Sequence, residues 1–220
     1  MKFIRELIRT IKYKSRFISK NENTKLNFVV NSSVNSKLTE LMNYHGSDKG
    51  GKNNHHNYSE YYSEIFFHKR KEVKNFLEIG LGTNNVNVAS NMGKDGVPLA
   101  SLRAWRDYFI NANIYGADID RDILKNEERI KTFYVDQTNP ETISILFKEM
   151  GVNKFDVILE DGLHEYSANI CFFENSIKYL SDNGVYIIED IYYKDKNKFI
   201  NYFKKYNYYY SIVDIFHKEN

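Results

Sequence analysis

At 220 residues, with 42% apolar and 15% aromatic side chains, the chain is long enough for one ordinary domain with its own core. Its formal charge of +2 hides an asymmetry, because residues 1–20 carry net +6 and the remainder net −4, so the body offers no basic surface for nucleic acid. Cys171 is the only cysteine, which excludes an intramolecular disulfide, and no apolar run approaches the roughly 20 residues that cross a bilayer; a cytoplasmic protein without a signal-peptide core is expected.

Residues 1–20 place Phe3, Ile4, Leu7, Ile8, Ile11 and Phe17 near helical spacing with Lys and Arg between them. That is a basic amphipathic helix, suited to packing on its own domain or on a second subunit in a homo-oligomer. Residues 20–35 are polar and read as a linker, which makes 1–34 an extension. A short helix over 35–44 follows, then the loop HGSDKGGKNNHHNYSEYY, which opens into a helix carrying Tyr61, Tyr62, Ile65, Phe66 and Phe67. Residues 35–72 are therefore expected to form a helical lid over a cleft. His55 and His56 are adjacent with no cysteine near, a poor zinc pattern.

Residues 73–220 alternate between strand and helix. The first strand, 73–79, runs into a glycine turn in the string FLEIGLGTNN. A dinucleotide fingerprint would have its third glycine where Asn85 stands, which disfavours NAD and favours a nucleoside-type ligand lacking a pyrophosphate. Glu78, at the strand end, can accept hydrogen bonds from an ammonium group or from backbone amides. After a polar loop over 84–99, Ser101 is expected to cap the helix SLRAWRDYFINA, with Leu102, Trp105, Tyr108 and Phe109 inward. The second strand, 114–119, presents Asp118, placed to take both hydroxyls of a ribose. The third, 131–135, is closed by Asp136 and Gln137, polar groups suited to an adenine edge. Helices over 140–150, 167–180 and 197–206 separate a fourth strand in FDVILEDGLH, a fifth at 184–188 in GVYIIED and a sixth at 208–216.

This alternation predicts an α/β fold with a mostly parallel sheet and helices on both faces. Parallel strands are buried on both sides and read as apolar runs, and ligands collect at their carboxyl ends. Asp161, Glu189 and Asp190 lie at two such ends, with His164 close behind. Carboxylates packed that closely raise one another's pKa unless a cation sits among them, and a hard divalent ion with oxygen ligands answers that need.

Taken in order, GSDKG with its following tyrosines, LEIGLGTNN, SLRAWRDYF, IYGADID, VDQ, EDGLH and IIED resemble a class I S-adenosylmethionine-dependent methyltransferase. More narrowly, residues 44–193 are similar to the metal-dependent sugar O-methyltransferases of macrolide biosynthesis, the mycinamicin and macrocin type, and to bacterial relatives that act on surface glycans. The resemblance implies a Rossmann-like methyltransferase fold. It implies that Glu78, Gly80, Gly82, Thr83, Asn84 and Ser101 hold the methionine end of S-adenosylmethionine, with Asp161 beside it, while Asp118 binds the ribose and Asp136 with Gln137 the adenine. It also implies that Asp161, Glu189 and Asp190 ligate Mg²⁺ and that His164 is the general base. Lys49 and Tyr58, in the lid, are expected to contact cofactor or acceptor. The loop over 84–99 is longer than in the macrolide enzymes, and no apolar run remains for their seventh, antiparallel strand, so the sheet edge is expected to need another chain or further sequence.

The expected acceptor is a hydroxyl of a sugar or sugar-derived small molecule, in surface polysaccharide or secondary-metabolite biosynthesis. Nucleotide-linked acceptors, and a phosphoryl or phosphoramidate oxygen of a capsule modification, suit the same ion. Two other classes compete. An NAD-dependent sugar oxidoreductase or epimerase lacks its third glycine and an evident Tyr/Lys pair, and a non-catalytic glycan- or protein-binding module would have no need of the base and all three acids.

Overall fold

The structure, a computed structural model, describes residues 24–30, 36–51, 56–206 and 209–217. The basic helix expected over 1–20 lies outside them. Strand β1 (Thr24–Val30) occupies the segment expected to be a linker. Leu26, Phe28 and Val30 alternate there, a short strand signal among many polar neighbours. Helices α1 (Lys37–His45) and α2 (Tyr58–Phe66) follow, joined through a 3-10 turn at Asp48–Gly50. Next come β2 (Asn75–Ile79), α3 (Ala100–Tyr108), β3 (Asn113–Asp118), β4 (Ile130–Tyr134), α4 (Pro140–Met150) and β5 (Phe155–Glu160). Helix α5 (Tyr166–Ser176), β6 (Leu180–Ile188), α6 (Lys196–Phe203) and β7 (Ser211–His217) complete the order.

Five strands form one wholly parallel sheet in the order β4-β3-β2-β5-β6. The chain builds outward from β2 to β4, then returns to lay β5 against the other side of β2. That reversal opens a crevice beyond the carboxyl ends of β2 and β5. The sixth predicted strand is present as β7 but does not extend this sheet. It pairs in parallel with β1, Thr24 opposite Ser211 and Val30 opposite His217, so the chain's own N-terminal strand satisfies one edge of β7.

Successive residues of the central strands point to opposite faces, which makes two cores. On one face Phe76, Val157 and Leu159 meet Leu38, Met42, Phe66, Trp105 and Phe109 from α1 to α3 and the residues just after α3. On the other, Leu77, Ile79 and Ile158 meet Ile143, Leu146 and Phe147 of α4 and Phe172 of α5. Trp105 is fully buried, its ring centroid 4.9 Å from that of Phe76 and 5.5 Å from that of Phe109.

Helix ends follow local chemistry. Helix α4 has Pro140 in its first turn, Asn139 accepting from the Glu141 amide, and Gly151 in the left-handed region at its C-terminus. Helix α3 departs from expectation. It starts one residue before Ser101, at Ala100, and is entered through Leu99 at φ 66° with no side-chain cap. Ser101 is therefore free of capping and lines the crevice.

Candidate active site

The register of the sheet decides which residues meet. Ile79 lies opposite Glu160, and Glu160 opposite Ile188, so three strands end level. The Asp161 amide donates to Ile79 O at 3.0 Å and the Glu189 amide to Glu160 O at 2.9 Å, which carries that alignment one residue further. Asp161 and Glu189 therefore emerge side by side. Adjacent residues of a strand face opposite ways, but β6 has ended before Glu189, and Asp190 takes φ 50°. His164 likewise sits at φ 59°. Two non-glycine residues held in the left-handed region, both at one cluster, mark backbone strain of the kind that functional sites carry.

Asp161, His164 and Asp190 form a group whose ligand atoms all lie within 4.8 Å of one another. His164 Nε2 is 4.0 Å from Asp161 Oδ1, and Nδ1 is 3.7 Å from Asp190 Oδ2. Nδ1 is buried without a hydrogen-bond partner. Burial pushes the imidazole pKa below the ordinary histidine value, against the opposing pull of Asp190. Glu189 stands apart from this group. It is buried, and its two oxygens accept from Lys49 Nζ at 2.5 Å and from the Tyr62 hydroxyl. Burial raises the Glu189 carboxyl well above the usual range, with Lys49 working the other way.

Lys49 is the residue whose importance was least visible in the sequence. Its side chain is 4% exposed, and its ammonium also contacts Asp161 and lies 3.9 Å from Glu78. Burial opposes that charge, but Asp161, Glu189 and Glu78 outweigh it and hold the ammonium pKa well above the normal lysine value. Tyr58 donates to Asp190. The segment expected to be a lid thus reaches three acids of the crevice through Lys49, Tyr58 and Tyr62.

A cavity of about 1290 Å³ runs from Asp118 and Asp136 past the glycine turn and Ser101 to Asp161, His164 and Asp190. Gly80 and Gly82 line it at φ 83° and 77°. A Cβ on Gly80 would overlap the carbonyl of Asp161, and one on Gly82 the Met92 sulfur, so both positions require glycine. Asp118 Oδ2 accepts from the Leu81 amide at 2.6 Å and Oδ1 from the Asp120 amide at 2.8 Å, which fixes its carboxylate at the cavity wall.

Other predicted residues serve the frame. Thr83 lines the cavity and donates to Asp120. Asn84 is not in the wall; its amide donates to Gly93 O and, at 2.9 Å, to Gly96 O, bracing the long loop. Asp136 Oδ1 accepts from the Thr138 amide at 2.9 Å. Gln137 donates to Glu160 at 3.0 Å and accepts from the Leu163 amide at 2.7 Å, so its side chain ties β4 to the loop of His164. Glu160, fully buried and raised to about 7 by that burial, also accepts from Asn169 and the Gly162 amide. Glu78 is fully buried behind Lys49 with neither oxygen in a hydrogen bond, and burial raises it to about 8.

The residues present suit a nucleoside cofactor and a hard cation. An orphaned buried carboxylate, a glycine turn that admits no Cβ, an acid at the end of β3 and a carboxylate-rich donor set meet those needs, and the parallel sheet that carries them is a methyltransferase-like fold. Comparison with known proteins places the chain beside a narrower group. The 8-demethyl-8-α-L-rhamnosyl tetracenomycin-C 2'-O-methyltransferase of Streptomyces olivaceus is 30% identical over 154 residues, 70% of this chain and 37% of that protein. Demethylmacrocin O-methyltransferase of Streptomyces fradiae is 29% identical over 159 residues, 72% of this chain and 37% of its own length. Among solved structures, the MycE methyltransferase of the mycinamycin pathway, in complex with Mg and SAH, superposes with a TM-score of 0.60 at 26% identity, covering 76% of this chain and 43% of that one. A second MycE complex, which also holds mycinamycin VI, gives 0.58 at 27%, over 72% and 40%. No protein-family model matches. The relatives named are methyltransferases, two of them O-methyltransferases by name, and the chain spans less than half the length of the relatives it matches. Among the described residues no helix is long and apolar enough to cross a membrane.

Proposed function

We propose that the chain is the catalytic part of an S-adenosylmethionine- and Mg²⁺-dependent O-methyltransferase acting on a sugar hydroxyl. The observation that carries this reading is the meeting of Asp161, His164 and Asp190 at the mouth of the crevice, beside the glycine turn. Relatives named for a rhamnosyl tetracenomycin and an olivosyl oleandolide support such an acceptor over a surface polysaccharide or a phosphorylated group.

In this reading Gly80, Gly82, Ser101 and Glu78 hold the methionine end of the cofactor and Asp118 its ribose. Asp136, in the cavity wall just past β4, is the group left for the adenine, since the Gln137 side chain is engaged by Glu160 and the Leu163 amide. Asp161 and Asp190 would offer oxygen ligands to the ion, while Glu189 stands outside that group with its oxygens on Lys49 and Tyr62. The sulfonium supplies the methyl group, and the divalent ion supplies Lewis acidity toward the acceptor oxygen.

A sugar hydroxyl is a poor nucleophile at neutral pH, so its proton must leave as the carbon–oxygen bond forms. His164 is the group placed to take it. Its lowered pKa keeps the ring neutral at pH 7, and the flanking Asp161 and Asp190 carboxylates stabilise the positive charge that the ring acquires. Orientation of donor and acceptor by the rigid strand ends supplies much of the remaining acceleration.

The test is transfer of label from S-adenosylmethionine to a rhamnosylated or macrocin-type acceptor. Turnover should vanish in EDTA and return with Mg²⁺. Full activity in EDTA would remove the ion from the mechanism.

A further inference from the structure

The crevice already contains one cation, and it belongs to the chain. Lys49 Nζ sits between Asp161 Oδ2 and Glu189 Oε2, with Glu78 3.9 Å away, in a setting that is 4% exposed at the lysine and 2% at Glu189. An ion that took Glu189 as well as Asp161 as ligands would sit against Lys49, which holds one oxygen of each. Two like charges gripping one pair of carboxylates repel one another, most strongly where water is excluded. The turn that carries Lys49 is bounded by Gly46 at φ 85° and Gly51 at φ 73°, two positions where backbone angles change at little steric cost.

We propose that Lys49 is an internal counter-ion: it neutralises the acids of the crevice when no metal is bound, and it competes with the divalent ion for Asp161 and Glu189. Entry of the ion then draws Lys49 and its turn away from the sheet. Lys49 is thus a positioning residue that sets how tightly the site holds a cation and keeps the acid cluster folded without one. The inference rests on the ion-site reading given above.

Calorimetric titration with MgCl₂ and hydrogen exchange over residues 46–51 test it together. In wild type, amide exchange across that turn should quicken when Mg²⁺ is added. In Lys49→Met, Mg²⁺ should bind about tenfold more tightly, while the melting temperature in EDTA falls and is restored by Mg²⁺. Lys49→Arg, which keeps the charge, should bind Mg²⁺ like wild type. A structural role alone would weaken metal binding in Lys49→Met. Unchanged or weaker Mg²⁺ affinity in that variant overturns the proposal, as does unchanged exchange in wild type, a measurement that does not depend on the variant folding. Wild type that binds no Mg²⁺, with Asp190→Asn no different, overturns the ion site itself and this proposal with it. Mg²⁺ binding that is lost in Asp190→Asn but unaffected by Lys49→Met overturns only the competition.

Discussion

Glu78→Gln should weaken cofactor binding and, in the same protein, raise the stability of the empty form. Glu78 is fully buried, and burial lifts its pKa to about 8 in spite of Lys49 3.9 Å away and the nearby Ser101 hydroxyl. In the unfolded chain a glutamate titrates near the ordinary value of about 4.3. The folded state therefore binds more protons than the unfolded state between those values, and stability falls as pH rises through that window. At pH 7 the loss lies between about 3 and 4 kcal/mol, an upper limit because a buried amide also needs partners. Removing the ionisable group should raise the melting temperature at pH 7, by up to roughly 6–16 °C for a chain of this size, and change it little near pH 4.5. In the filled crevice, loss of a charged hydrogen bond to the cofactor's ammonium costs about 1.5–3 kcal/mol, or roughly 10- to 150-fold in Kd. Binding at pH 7 should also release a proton as Glu78 ionises, visible as a dependence of calorimetric heat on the buffer, and this release should be absent at pH 9 and in the variant. A variant that melts lower than wild type, or binds S-adenosylhomocysteine equally well, would refute the reasoning.

His164→Ala should lower kcat by about 10² to 10⁴ while S-adenosylhomocysteine binding survives; undiminished turnover would exclude the base. Because burial depresses the His164 pKa, the acid limb of the wild-type rate should have its midpoint below pH 6.5, so an acid limb centred above 6.5 would contradict the assignment. Trp105→Ala should cost about 3–5 kcal/mol in urea unfolding, since it empties a fully buried site among Phe76, Tyr62 and Phe109.

The five-stranded sheet and the acids at its carboxyl end were readable because buried parallel strands are apolar runs, and the switch to polar residues marks where each one stops. The string that ends in Asp161 and the one that ends in Glu189 and Asp190 show this directly. What could not be read depended on distant partners. Strand β1 exists through pairing with β7, about 187 residues later in register, and nothing local in its polar surroundings announces that. Lys49 in GSDKG was expected to meet cofactor or acceptor; its contacts are instead with Asp161 and Glu189, 112 and 140 residues away, which only folding brings to it. Gln137 looked free to meet a ring edge, yet Glu160 and the Leu163 amide engage its side chain at 3.0 and 2.7 Å. The entry to α3 through Leu99 defied the capping pattern because the loop before it is anchored elsewhere, by Asn84 and the Leu99 amide bonded to Leu81 O at 2.9 Å.

The proposed reaction requires that the crevice take a sulfonium nucleoside in place of a dinucleotide. Titration of the purified chain with S-adenosylhomocysteine and, separately, with NAD addresses this directly. The account predicts saturable one-site binding of S-adenosylhomocysteine that weakens in Asp118→Asn, with no heat from NAD. Binding of NAD without S-adenosylhomocysteine would contradict it.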